Sequence, residues 1–248
     1  MQKYTIQPND TLYLIAKKFK IPLAQLIKAN PEIANPNLIH IGQTITIPDL
    51  PPVLKQLDTI ESNAEDIMDD IYAKGWQKAK DKVNIINTNM DALIPYLQQA
   101  MVPNNLITDI QNAMKKLEEN VAQKNSLQAL FDANQITRYI PDILDYFKVI
   151  IPTDVSRLDF LGRQIILNVE GNDWNSTNEN YTASNKIWGR LKPEMNAKYS
   201  NDISDMGQIL SALKDSISGK EYRAAINNAN KMLDLVDVLE TDFKQQNS

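Results

Sequence analysis

Reactive side chains are scarce in this chain, and their spacing limits the chemistry they can support. His40 is the single histidine and there is no cysteine. No thiolate nucleophile, disulfide, cysteine metal site or multi-histidine metal site can therefore form, and the region beyond His40 has no residue for a histidine-based triad. No Gly-rich phosphate loop occurs. Among the carboxylates spaced three or four residues apart are Asp66, Asp69 and Asp70, and Asp142 and Asp145. On helices such acids share a face and could hold a hard cation such as calcium or iron, although a solvated face is the plainer reading. Asp154 and Asp202 stand near expected helix starts, where acids complement the helix dipole. Trp76, Trp174 and Trp188 could stack on sugars or plug a helical core. Asn84, Asn134 and Asn230 could line a polar pocket or fasten neighbouring helices. Packing is the preferred reading for both sets. No catalytic residue, metal ligand or cofactor is expected.

The elements that position these residues fall into two parts. In the first, Tyr4, Ile6 and the run Thr44 to Ile47 alternate with the period of short strands. Asp10-Thr11 stands where a helix N-cap belongs, and Leu12, Ile15, Ala16 and Phe19 follow at helical spacing. Pro22 opens a second short helix carrying Leu23, Leu26 and Ile27. The order is strand, helix, helix, strand. So small a unit without disulfides needs tight packing, here expected from Ile15, Phe19, Leu26, Ile45 and Ile47.

Three segments carry a family resemblance: Tyr4-Thr-Ile-Gln-Pro-Asn-Asp-Thr-Leu-Tyr-Leu-Ile-Ala-Lys-Lys-Phe19, Ile21-Pro-Leu-Ala-Gln-Leu-Ile-Lys-Ala-Asn-Pro31, and Asn37-Leu-Ile-His-Ile-Gly-Gln-Thr-Ile-Thr-Ile-Pro48. Together they resemble the LysM domain, a small module that holds N-acetylglucosamine polymers such as peptidoglycan and chitin. The resemblance implies a βααβ fold and a shallow groove between two loops. One loop is Asn9, Asp10, Thr11 and Leu12; the other is Asn30, Pro31, Glu32 and Ile33. Loop amides and carbonyls would pair with the N-acetyl group, and Leu12 and Ile33 would pack its methyl and the ring faces. Two positions depart from the family pattern. Asn9 replaces the usual Gly before Asp, a turn that Asn tolerates. His40-Ile41-Gly42-Gln43 keeps the turn glycine of Tyr-Pro-Gly-Gln but loses its proline.

The second part begins after the linker Asp49-Leu50-Pro51-Pro52. Aligning the chain on Trp76, Ser126, Trp174 and Tyr222 gives spacings of 50, 48 and 48 residues. Five residues upstream lie Ile71, Val121, Val169 and Ile217; nine upstream lie Ile67, Leu117, Ile165 and Leu213. These steps mark one helix face. Polar or Gly-containing breaks precede each anchor. Pro103 and Pro152 lie near unit starts, while Pro95, Pro141 and Pro193 are expected to break helices or begin turns. The fold class expected is therefore a small α+β module (βααβ) at 1–48, a linker at 49–52, and an all-α domain at 53–248. That domain is read as four tandem helical hairpins, packed as bundles because one hairpin cannot bury its own apolar face. The prolines of the linker suggest few contacts between the parts and independent melting.

Composition narrows the partners. With 26 Lys and Arg against 31 Asp and Glu, the formal charge is −5, and no basic cluster with interleaved aromatics is present. Nucleic acid is not expected, and no apolar run is long enough to span a membrane. The scarcity of arginine beside lysine, with abundant Asn and Ile, points to a bacterial source. The functional expectation is non-catalytic binding of peptidoglycan or another N-acetylglucosamine polymer in the cell envelope, with the helical domain held there to bind a ligand or other envelope or spore proteins. One alternative is a cell-wall hydrolase. The other is a structural role in a spore layer made in the mother-cell cytoplasm, or in a phage-like particle. No signal-peptide pattern precedes Tyr4, which fits the second alternative or removal of a leader.

Overall fold

The structure, a computed structural model, describes residues 1–247. The first unit contains β1 (Gln2–Thr5), α1 (Leu12–Lys18), α2 (Leu23–Lys28) and β2 (Thr44–Ile47). The strands pair antiparallel, Gln2 opposite Ile47 and Thr5 opposite Thr44. Helix α1 starts at Thr11, whose extended backbone lets its side chain accept from the Leu14 amide. Lys20, at φ 53°, turns the chain into α2. The core comprises Ile6, Leu12, Ile15, Ala16, Leu26, Ile33, Ile45 and Ile47. Phe19, expected among these residues, is instead half-buried and packs edge-on against Tyr4 at 5.3 Å. Gly42 has φ +84°, a conformation that admits a side chain only under strain.

From Lys55 the chain is helical: α3 (Lys55–Tyr72), α4 (Trp76–Gln99), α5 (Asn104–Gln123), α6 (Ser126–Leu144), α7 (Thr153–Glu170), α8 (Trp174–Leu191), α9 (Ser200–Ser218) and α10 (Tyr222–Asn247), with short 3₁₀ turns between α8 and α9. Helix α3 packs on α4 and α6, and α5 on α4 and α6, closing one four-helix bundle. Helices α7, α8, α9 and α10 close a second in the same way. Each bundle has its own apolar core. The α6–α7 contact joins them, and Leu167 of α7 belongs to the first core.

The four hairpins turn alike. Lys74, Lys124, Asn172 and Lys220 take positive φ of 59°, 54°, 57° and 51°. The next amide reaches back five residues in each turn: Gly75 to Asp70 O (2.7 Å), Asn125 to Asn120 O (3.0 Å), Asp173 to Asn168 O (2.8 Å) and Glu221 to Ser216 O (2.8 Å). This closure satisfies carbonyls that a helix end leaves open. The following helices begin at Trp76, Ser126, Trp174 and Tyr222. Trp76 and Trp174 are half-buried against the first and second cores, while Trp188 is buried in the second.

Three expectations are corrected. Pro95 and Pro141 lie inside α4 and α6, which continue for about another turn; only Pro193 stands at a break, in a 3₁₀ turn. Of the three aligned asparagines, only Asn134 is buried, and it fastens α6 to α7 by donating to Gln164 Oε1 (2.9 Å) and the Phe160 carbonyl (3.3 Å). Asn84 and Asn230 face solvent. Nor do the prolines after Pro48 keep the two parts separate. The Lys148 amide donates to Pro51 O (2.8 Å), Tyr96 Oη donates to Pro52 O (2.9 Å), and Lys20 pairs with Glu194 (2.7 Å). A proline-rich strand is extended and its carbonyls need donors, so it docks readily where neighbours supply them.

Candidate functional site

The loop between β1 and α1 is built around one carboxylate. Asp10 Oδ2 accepts from the Gln7 amide and from Tyr4 Oη, each at 2.8 Å. These bonds, the Gln7 amide first, hold its pKa below the ordinary Asp value. Asn9 precedes it at φ 69°, the left-handed conformation that Asn tolerates in place of glycine. Asn9 and Thr11 are exposed, Asp10 is half-buried, and the Leu12 side chain is turned into the core at 3% exposure.

The second loop is held from beneath. Asn30 is buried; its Nδ2 donates to Leu26 O and Thr46 O at 2.8 Å, and its Oδ1 accepts from the Thr46 amide at 2.6 Å. It thereby ties the end of α2 to β2. Pro31 and Glu32 are exposed. Ile33 is core, 9% exposed. The side chains of Leu12, Asn30 and Ile33 therefore support the loops, and Leu12 and Ile33 do not offer apolar surface to a sugar. So small a unit needs both to close its core. Exposed apolar side chains of this unit include Tyr13 and Leu14, which follow the first loop in the chain, at 62% and 47% exposure, and Leu38 and Ile41, between the second loop and β2, at 61% and 69%. The signal for Tyr13 and Leu14 was present in the sequence: both are apolar yet stand off the stripe of Leu12, Ile15, Ala16 and Phe19.

The LysM domain family matches residues 4–48. Those residues are a LysM domain. Similar proteins match over the same short region. The secreted LysM effector ECP6 of Passalora fulva is 49% identical over 47 residues, 19% of this chain and 20% of that protein. The endolysin of Bacillus phage PZA is 47% identical over 45 residues, 18% of this chain and 17% of that protein. The endolysin of Bacillus phage B103 is 51% identical over 45 residues, with the same coverage of 18% and 17%. The chain thus spans a fifth or less of the length of these relatives, and no solved structure matches it. A LysM domain implies binding of N-acetylglucosamine polymers and suggests association with a cell wall.

A concavity of about 970 Å³ opens where the LysM domain meets both bundles. Arg157 of α7 organises one wall. Its Nη2 lies 2.8 Å from Asp142 Oδ1 and 2.6 Å from Asp145 Oδ2, and its Nη1 lies 3.2 Å from Asp154 Oδ1. Burial opposes the charge of Arg157, but the surrounding carboxylates outweigh it and push its pKa up. Arg190 adds a forked contact to Asp154, 2.9 Å from Oδ1 and 3.1 Å from Oδ2. Asp142 and Asp145 are thus taken up by an internal cation. Asp70 and Asp66 likewise hold Lys82, at 2.6 and 3.6 Å, and Asp69 is exposed. Among the described residues no three His, Cys, Asp or Glu side chains are placed to share a metal ion, and no helix is long and apolar enough to cross a membrane.

Proposed function

We propose that this is a non-catalytic wall-binding protein, which holds peptidoglycan through N-acetylglucosamine on the loops at Asn9–Thr11 and Asn30–Glu32 and presents the helical bundles at the wall. The observation that carries this reading is the Asp10-centred loop of the LysM domain, bonded to Tyr4 and Gln7 and leaving Asn9 and Thr11 exposed. Backbone groups of the two loops supply the polar contacts; Tyr13, Leu14 and Leu38 supply apolar ones.

That the large cleft is not a catalytic centre is supported by how its acids are used. Glycoside cleavage uses a protonated carboxyl group with a second carboxylate about the bond, or one acid with assistance from the substrate. In the cleft Asp142, Asp145 and Asp154 are bound by Arg157 and Arg190, and Glu194 by Lys20. The relatives named for lysis match only through the LysM domain.

The test is co-sedimentation with insoluble peptidoglycan, together with an assay for released reducing ends. The expected result is retention without release, with retention lost on Asp10→Ala. Release of soluble sugar by protein free of host hydrolases, or unchanged retention of the variant, would overturn the proposal.

A further inference from the structure

The 970 Å³ cleft lies within the size range of ligand sites, roughly 300–1,000 Å³, and at a junction of domains, where such sites concentrate. Its walls come from the α1–α2 turn, the linker, the end of α6, the start of α7 and the end of α10. The ion pairs already described fix its charge. The carboxylates of the lining, Asp142, Asp145, Asp154 and Glu194, are each paired with a cation of the same lining. Lys17 and Lys148 also line it, both exposed; neither forms an ion pair among the described residues, and the charge of Lys148 is felt by the Asp49 carboxylate of the linker. The lining thus holds five cations, Lys17, Lys20, Lys148, Arg157 and Arg190, against four carboxylates, one positive charge in excess in a chain whose formal charge is −5. Beside these lysines stand Ile21, Leu50, Leu106 and Ile150, apolar surface suited to methyl groups.

We infer that this cleft is a second binding site, for a short peptide that carries small apolar side chains and ends in a free carboxylate. Lys17 and Lys148 receive the carboxylate, and the apolar wall receives the side chains. The assignment rests on the glycan reading above, because the two sites share α1. That helix begins at the loop of Asn9–Leu12 and ends at the cleft, where Ala16 and Lys17 are part of the lining. Its seven residues span roughly 10 Å. A wall polymer held on the loops by its sugar would have a peptide branch within reach of the cleft, and the two contacts would reinforce one another through a high effective concentration.

The experiment uses the full chain and two probes, N,N′-diacetyl-Lys-D-Ala-D-Ala and N-acetylglucosamine tetramer, each titrated by heteronuclear NMR. The peptide should bind at least tenfold more tightly than its C-terminal amide, with shifts at Ile21, Lys148 and Ile150. The double variant Lys17→Glu, Lys148→Glu, two exposed positions whose change spares the core, should weaken the peptide tenfold or more and leave the sugar unaffected. Absence of peptide binding, equal binding of acid and amide, or indifference to the double variant would overturn the cleft assignment while sugar binding stood. Displacement of the peptide by inorganic phosphate at equal concentration would show a general anion site and overturn it too. Absence of sugar binding would overturn the glycan reading beneath it.

Discussion

The side-chain amide of Gln25, on α2 of the LysM domain, donates to the backbone carbonyl of Ala100 at the end of α4, 2.8 Å away. The same Nε2 lies 3.2 Å from the carbonyl of Tyr146, beyond α6. Gln25 is only 9% exposed. One buried amide thus joins the LysM domain to two carbonyls at one end of the first bundle, where unpaired carbonyls are costly.

Substituting Gln25 with Ala should remove this joint and lower stability by about 1–3 kcal/mol. Calorimetry of the native chain should show one cooperative transition, and the variant should show the LysM domain melting earlier. Two separate transitions in the native protein would restore the picture of independent parts suggested by the prolines alone.

Glu61 of α3 makes stability depend on pH. Burial raises its pKa to about 8 from 4.5, and the neighbouring carboxylates of Glu65, Glu240 and Asp58 add to the shift, while Arg163 opposes it. A raised carboxyl pKa means that the folded state holds the proton more tightly than the unfolded chain. Its stabilising effect is complete below pH 4.5 and is lost as pH rises to about 8. Denaturant melts should show this decline, and Glu61→Gln should flatten it. An unchanged slope in the variant would assign the effect to another group.

At the seam between bundles, Asn134→Ala should cost about 1–3 kcal/mol, because Gln164 and the Phe160 carbonyl lose a buried donor. The aligned but exposed Asn84 should tolerate alanine within about 0.5 kcal/mol. Equal effects would show that burial does not distinguish the two positions.

Asp10 should govern the sugar loop through its charge. Its pKa is lowered by the Gln7 amide and then by Tyr4 Oη, so the ionised, bonded form persists down to below the usual Asp range and is lost on further acidification. Retention on peptidoglycan should hold through mild acid and fall several-fold only below that range. Asp10→Asn should retain less than the native chain at neutral pH, with unchanged far-UV circular dichroism. Retention that falls already in mild acid would point to another titrating group.

The sequence made the helices legible because apolar residues at helical spacing leave little choice of face. Ile67, Leu117, Ile165 and Leu213 are all buried, and the chain turns just before Trp76, Ser126, Trp174 and Tyr222. The LysM domain was legible from its segments. The direction of individual loop side chains was not. The family resemblance assigns Leu12 and Ile33 to the sugar, whereas closure of a small core in three dimensions turns both inward. The joint at Gln25 left no sequence signal, since a polar residue on a short helix ordinarily faces water. The large cleft was equally invisible, because its lining comes from segments between Ala16 and Asn247.

The docked strap also sets a path for force. Pro51 and Pro52 are bonded to Lys148 and Tyr96, and Gln25 to the ends of α4 and α6. A pull on the β1–α1 loop is therefore borne by several hydrogen bonds loaded together at one end of a bundle, with no slack tether to take up the first stretch. With a wall polymer held there as proposed, movement of the polymer would be passed to the helices as tilt rather than absorbed by a flexible linker.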